Sequence, residues 1–224
     1  RKGPPAIFRV DSTGLVRTVA TALDPAIDTL RAIASDKVGA IYLTGEARRG
    51  LVTSQGAAFK TAEVSTSTPF LLKLTSSGVP VFSTYLTAPG SRPAGKPDPG
   101  GGKHDVTSAP FGLTVNDAGE AYVVGQSSAA DFPSTPGALN TKDSNNRDAF
   151  VIKVNASGTA IPIVARIGFN DVDRATDVAL SPDGSILVGG KSASVDFSGN
   201  DSFQSTVHFS QNGQITYLYD REFG

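Results

Sequence analysis

The residues best suited to acid–base chemistry in this sequence are three neighbours, Lys103, His104 and Asp105. They join an imidazole, which titrates near neutral pH, to an adjacent carboxylate. The stretch that ends with them, residues 88–105, reads APGSRPAGKPDPGGGKHD. Its Pro and Gly content predicts a long flexible loop. A solvated loop cluster is therefore the simpler interpretation, with proton transfer as the alternative.

Acidic residues could hold a metal ion at two places. Asp143, Asn145 and Asp148 offer oxygen ligands at intervals, as a calcium loop does. The central Gly and the terminal Glu of an EF-hand are missing there, so a polar turn is favoured and Ca²⁺ is the weaker alternative. Asp171 and Asp173 form a second acidic group. We expect these two carboxylates to cap backbone N–H groups rather than to bind metal.

Other catalytic chemistries lack their usual residues. The chain has no Cys and two His, which removes thiolate catalysis and zinc–thiolate sites. Neither a Gly-x-Ser-x-Gly motif nor a phosphate-binding glycine motif is present. His208 falls on a predicted outer strand, where we expect a surface residue. The sequence therefore predicts neither enzymatic activity nor a cofactor.

Charge and composition disfavour several classes of partner. The net charge is -1 and no large basic cluster is present, so the field that collects nucleic acid is missing. No apolar run approaches the roughly 20 residues that span a bilayer, and we expect no membrane span. The chain contains no Met. We expect it to be a processed protein or a piece of a longer one.

The elements that would position these residues are hairpins of two kinds, which alternate along the chain. One kind has a Gly turn between apolar, alternating residues, and it occurs at 6–20, 70–86, 149–165 and 206–219. The other carries Asp or Asn before its Gly, and it occurs at 32–45, 112–125 and 177–190. The period of two and the turn residues are typical of antiparallel strands. The chain is therefore predicted to be all-β.

The spacing of the hairpins gives the size of the repeat. Without the insertion at 88–105 the repeat is about 55 to 65 residues with four strands, the size of a β-propeller blade. We predict one β-propeller domain over 1–224, built from four-stranded antiparallel blades. It would contain about three and a half blades: an orphan outer hairpin at 1–29 and whole blades at 30–109, 110–174 and 175–224.

Four stretches match the repeat of a known protein family. They are DAFVIKV at 148–154, STYL at 83–86, NDAGEAYVVG at 116–125 and DFPSTPGA at 131–138. With these motifs the chain resembles the bacterial seven-bladed β-propeller repeat family. The resemblance implies a secreted or cell-surface protein. The Asp-x-x-Gly hairpin is also similar to the inner strand pair of other six- and seven-bladed propellers, which implies that strands near 30–36, 111–116 and 176–181 are innermost. Asp148 and Phe150 belong to the first motif, for which a structural role is implied.

One dipeptide recurs between hairpins. Asp131 and Phe132 return as Asp196 and Phe197. Repetition in successive units favours a structural role, in which the Asp pins a turn and the Phe packs between blades.

Strand direction predicts where a ligand could bind. Because neighbouring strands are antiparallel, the tight turns of a blade share one face and the long connections share the other. Long polar loops on a rigid scaffold usually carry binding. The candidate ligand-binding residues on the long-loop face are Arg48, Arg49, Lys103, His104, Asp105, Asp171 and Asp173.

Three and a half blades cannot close a ring, because propellers need about four to eight. We therefore expect another copy of the chain, or the missing part of the same protein, to complete it; two copies would supply seven blades. The leading hypothesis is a non-enzymatic extracellular or cell-surface scaffold for adhesion, protein interaction or assembly, acting through its loop face or open blade edges. A lectin-like propeller that binds carbohydrate is the alternative, and a propeller lyase or hydrolase comes third. A glycan or a surface protein would be the external partner.

Overall fold

The computed structural model describes residues 5–21, 23–62, 68–87, 108–129, 132, 135, 147–168 and 172–192, and the backbone alone of 206–209 and 215–218. Strands are the regular secondary structure of these residues, and none of them is helical, so the all-β prediction is confirmed. A helix long and apolar enough to cross a membrane is accordingly not found among them.

The strands of the described residues form four antiparallel sheets, each made of strands consecutive in the chain. The first sheet is a hairpin of β1 (Ile7–Val10) and β2 (Val16–Ala20). The second contains β3 (Ile27–Ser35), β4 (Ile41–Ala47), β5 (Thr68–Leu74) and β6 (Pro80–Tyr85). The third contains β7 (Ser108–Val115), β8 (Ala121–Ser127), β9 (Asp148–Val154) and β10 (Ile163–Ile167). The fourth contains β11 (Asp173–Leu180), β12 (Ile186–Ser192), β13 (Thr206–Phe209) and β14 (Ile215–Leu218).

Tight turns close the strand pairs at one end of each sheet, which we call the turn end. In the turn after β3, the N–H of Gly39 donates to the Asp36 carbonyl at 3.0 Å. The Asp36 side chain accepts from the N–H of Val38 and of Ala40. Gly39 has a φ of 80°, a left-handed conformation that favours glycine. The opposite end of the sheets, where the long connections lie, is the loop end.

Consecutive sheets pack face to face through three clusters of buried apolar side chains. Ile7 of the first sheet packs with Phe70 and Leu72 of the second. The other face of the second sheet meets the third sheet, and the third meets the fourth in the same way. In β4, β5, β8 and β9 both faces are buried, and one position near the end of each strand is only half-buried. The described sheets therefore follow one another in chain order, with a core layer between each neighbouring pair.

Each four-stranded sheet has a glycine in its second strand where the first strand crosses closely. A Cβ at Gly125 would lie 2.1 Å from the carbonyl oxygen of Ala109. A Cβ added at either of the equivalent glycines would also clash with a carbonyl oxygen of the first strand. The distance would be 1.9 Å at Gly45 and 2.2 Å at Gly190. The register of the first strand shifts beside each of these glycines. The final Gly of the repeat motif thus admits a bulge that bends the first strand.

We predict that Gly125→Ala lowers the free energy of unfolding by about 3 kcal/mol, because the added methyl must displace backbone rather than a movable side chain. Gly189→Ala is the matched control, since a Cβ at Gly189 meets nothing within 4 Å. That control should be neutral or slightly stabilising. Urea unfolding of the two variants measures both effects, and equal stability of the two would contradict the crossing argument.

Candidate functional site

Two of the residues predicted to bind a ligand lie on the surface at the loop end. Arg48 is exposed; its Nε lies 2.7 Å from Asp28 Oδ1, and its guanidinium also donates to the carbonyl of Pro25. Arg49, next to it, is exposed as well. Four further candidates lie outside the described residues: Lys103, His104, Asp105 and Asp171. The acid–base cluster and the wider loop face therefore stay predictions.

The remaining candidate, Asp173, lies in a buried ionic group. Its side chain is buried, and its N–H donates to the carbonyl of Arg147 at 2.7 Å. Asp148 is 1% exposed and forms an ion pair with Arg166, which is 5% exposed. A Cβ added at Gly168 would lie 2.3 Å from a carboxylate oxygen of Asp148 and 2.8 Å from one of Asp173. This group joins β9, β10 and β11 at the loop end.

The proposed calcium ligands are only partly described. Asp143 and Asn145 lie outside the described residues. Asp148, the third, is 1% exposed and forms an ion pair with Arg166. A search of the described residues finds no group of three or more His, Cys, Asp or Glu side chains that could hold a metal ion. Calcium binding at this turn stays a prediction.

The Phe of the recurring Asp-Phe dipeptide packs between two sheets. The rings of Phe132 and Phe150 are stacked, with centroids 5.2 Å apart and planes 24° from parallel. Both side chains are buried and belong to the cluster that joins the second and third sheets. The other members of the repeated pairs, Asp131, Asp196 and Phe197, lie outside the described residues.

The Ser-Thr-Tyr motif at the end of β6 fastens the long connection that follows β4. The Tyr85 hydroxyl donates to the carbonyl of Arg48 at 2.6 Å and accepts from the N–H of Leu51 at 3.0 Å. Burial raises the pKa of Tyr85, so the hydroxyl keeps the proton that it donates. Thr84 accepts from the N–H of Phe59 at 3.1 Å. This motif therefore positions the part of the loop end that carries Arg48.

At the turn end, a Tyr, a Lys and an acid recur in the second and third sheets. In the second sheet Lys73 Nζ lies 4.8 Å from the ring centroid of Tyr42 and 3.8 Å from Asp36 Oδ2. The Tyr42 hydroxyl lies 3.2 Å from both Asp36 Oδ2 and the carbonyl oxygen of Gly119 in the third sheet. Burial, and then the charge of Asp36, raise the pKa of Tyr42. This buried, protonated hydroxyl closes the gap between the second and third sheets.

In the third sheet the same set is arranged differently. Lys153 Nζ lies 2.7 Å from Glu120 Oε2 and 5.5 Å from the ring centroid of Tyr122. Asn116, at the position of Asp36, donates to the same Glu120 oxygen at 2.8 Å. Burial alone would raise the pKa of Glu120, but the hydrogen bonds from Lys153 and Asn116 outweigh it and lower the pKa. Both partners are therefore charged at neutral pH.

This charged pair lines a cavity of about 510 Å³ between the third and fourth sheets at the turn end. The third sheet contributes Asn116, Glu120, Tyr122 and Lys153 to its wall. The fourth sheet contributes mainly apolar and small residues, among them Leu180, Pro182 and Ile186. The volume lies in the range of small-molecule sites, which combine apolar walls with a few placed polar groups.

The first strands of the three larger sheets meet at an aromatic ring. Both β3 and β11 contact β7. The guanidinium of Arg174 lies 3.7 Å from the centroid of Phe111, and that of Arg31 lies 5.7 Å from it. Arg31 also pairs with Glu46 at 2.9 Å. Two cations on one ring are a cation–π arrangement that ties neighbouring sheets together.

The sequence analysis placed the ligand-binding residues at the loop end and missed the cavity at the turn end. A signal was present, because Lys73 and Lys153 occupy the same position in the repeat, as do Tyr42 and Tyr122. Polar residues repeated at one position indicated a shared contact. Whether the gap beside these Tyr and Lys side chains is closed or open depends on the residues that they contact in the next sheet.

We predict that Arg166→Met lowers the free energy of unfolding by about 3 to 5 kcal/mol, because it leaves a buried carboxylate at Asp148 without its cation. Arg48→Met is the matched control, since Arg48 is exposed in its pair with Asp28. Its loss should cost at most about 1 kcal/mol. Chemical denaturation compares the two, and similar costs would contradict the structural role of the buried pair.

No protein-family model matches the chain, and no curated protein matches it either.

Proposed function

We propose that this chain is part of a β-propeller of the bacterial repeat family that it resembles, and that it serves as a non-enzymatic extracellular or surface scaffold. In this proposal it assembles through the open face of its first hairpin, with another copy of the chain as the partner. Three consecutive four-stranded sheets with packed faces, and first strands that meet at Phe111, support the propeller.

One observation carries the proposal of assembly. Phe8 and Val10 of β1 are 59% and 62% exposed. The residues at the same repeat positions in the third sheet, Ile152 and Val154, are both 0% exposed, because the second sheet covers them. Exposed apolar side chains at positions that are otherwise core indicate a surface meant to be covered.

The open face extends to the second strand of the hairpin. Val16 pairs with Val10 across the hairpin, so the two side chains share a face, and Val16 is also exposed. Leu15 adds a further exposed apolar side chain beside them. We call Phe8, Val10, Leu15 and Val16 the hairpin face. Contiguous apolar surface of this kind is typical of protein contacts.

The strand order specifies what is missing beside the hairpin face. By its position in the repeat β1 corresponds to β5 and β9, which are third strands that pair with β4 and β8. Among the described residues β1 pairs only with β2. The described strands of two copies would therefore make six four-stranded sheets and two hairpins. A second copy can therefore pack on the hairpin face, but it does not add strands to the sheet of β1 and β2.

The test is the mass of the chain in solution. We expect twice the 23.1 kDa chain mass or a higher multiple, because a second copy covers the hairpin face. Phe8→Ser combined with Val16→Thr should return the protein to a monomer with an unchanged circular dichroism spectrum and a lower melting temperature, because assembly no longer stabilises it. Val38→Thr, at another exposed Val, is the control and should leave the mass unchanged. A monomeric wild type, or a double variant that still assembles, would refute the second copy as partner.

A further inference from the structure

The gap between the third and fourth sheets is open at the turn end, whereas the gap between the second and third sheets is closed there by two contacts. Between the second and third sheets, the Tyr42 hydroxyl reaches the Gly119 carbonyl, and Lys37 Nζ lies 3.7 Å from Asp117 Oδ2. Between the third and fourth sheets, the positions of Lys37 and Asp117 are taken by Asp117 and Pro182, which form no ion pair. Among the described residues, neither of the two contacts that close the first gap is found in the second.

The Tyr of the open gap is hydrogen-bonded within its own sheet, as Tyr42 is to Asp36, but among the described residues it donates to no carbonyl across the gap. Asn116 Nδ2 lies 3.4 Å from the Tyr122 hydroxyl, within the third sheet. Glu120 stands where the second sheet has Ala40, so the open gap gains a carboxylate that the closed gap lacks. The cavity is therefore produced by residues that differ between repeats, while the strands around it are the same.

The polar groups in this cavity have unused hydrogen-bonding capacity. Within the described part of the chain, Glu120 Oε2 accepts from Lys153 and Asn116, whereas Glu120 Oε1 accepts no hydrogen bond. An ammonium has three donors, and Lys153 uses one on Glu120 and a second on the Tyr122 hydroxyl, which leaves one for a ligand. The two side chains are 27% and 17% exposed, so both are half-buried and still reach the cavity. An acceptor and a donor thus lie side by side.

The charges of the cavity indicate the class of ligand. Glu120 and Lys153 neutralise each other, and the exposed Asp117 at the lining is paired with Lys37, so an anion has no net attraction to the site. The opposing wall contains Leu180, Pro182 and Ile186, which suits a ligand with an apolar face. A sugar ring combines adjacent hydroxyls, which donate and accept, with an apolar C–H face.

We propose that the cavity between the third and fourth sheets binds a neutral sugar residue. One hydroxyl donates to Glu120, a neighbouring hydroxyl accepts from Lys153, and the ring lies against the apolar wall of the fourth sheet. This site needs residues of one chain only, so it does not depend on assembly through the hairpin face.

The experiment is an NMR titration of the whole, isotopically labelled chain with glucose, galactose, mannose and N-acetylglucosamine, each as the free sugar, and with glucuronate. We expect at least one neutral sugar to bind with a Kd of about 1 mM or tighter. Binding should move the amide signals of residues in 115–122, 151–153 and 180–186, which line the cavity. Shifts confined to other residues, no saturable binding of any neutral sugar, or tighter binding of glucuronate would each overturn the proposal.

Variants locate the site independently. Lys153→Met and Glu120→Ala should each weaken binding by about tenfold or more, since each removes a hydrogen bond to a charged group. Lys73→Met, at the equivalent position in the closed gap, should leave the Kd unchanged. A Lys73→Met variant that loses binding as strongly as Lys153→Met would overturn the assignment. If a cavity variant fails to fold, the chemical-shift changes of the wild-type chain in the NMR titration test the proposal instead.

Discussion

The second and third sheets of this chain have two apolar faces each, and the need to cover both governs the rest of the structure. The middle strands are buried on both sides, so a sheet is stable only between two neighbours. The second and third sheets have two neighbours each. The first hairpin has one, and the exposure of Phe8 and Val10 is the direct consequence. The proposed assembly therefore depends on the burial of an apolar face more than on specific polar contacts.

Stacking of this kind separates the two ends of the sheets into different roles. At the loop end, buried ionic and hydroxyl groups such as Asp148, Arg166 and Tyr85 hold strands and connections together. At the turn end, short turns expose the gaps between sheets directly. A gap there opens or closes with one or two side chains, as Tyr42 and Glu120 illustrate. The turn end can therefore acquire a binding site without any change in the strands.

The fold was more predictable from sequence than the site. The period of two and the regularly spaced turn glycines are local properties, and they predicted the hairpins and the all-β class correctly. Asp173 illustrates the limit, because an Asp near a strand start in the sequence looks like a surface ligand. In the structure it is buried beside Asp148, and that burial depends on β10 and β11 packing together.

Alone, the sequence determined that this protein is a series of antiparallel hairpins with left-handed glycines in their turns. Those features depend on residues that are only a few positions apart, so they can be recognised in the sequence itself. The tertiary structure decided which apolar faces are covered, which gap is sealed and which acid meets Lys153. These depend on residues from different sheets, such as Tyr42 and Gly119, whose distance is set only when the sheets pack. Hydrophobic faces predict that packing will occur, but the shape of the gap that remains is decided by the side chains that meet across it.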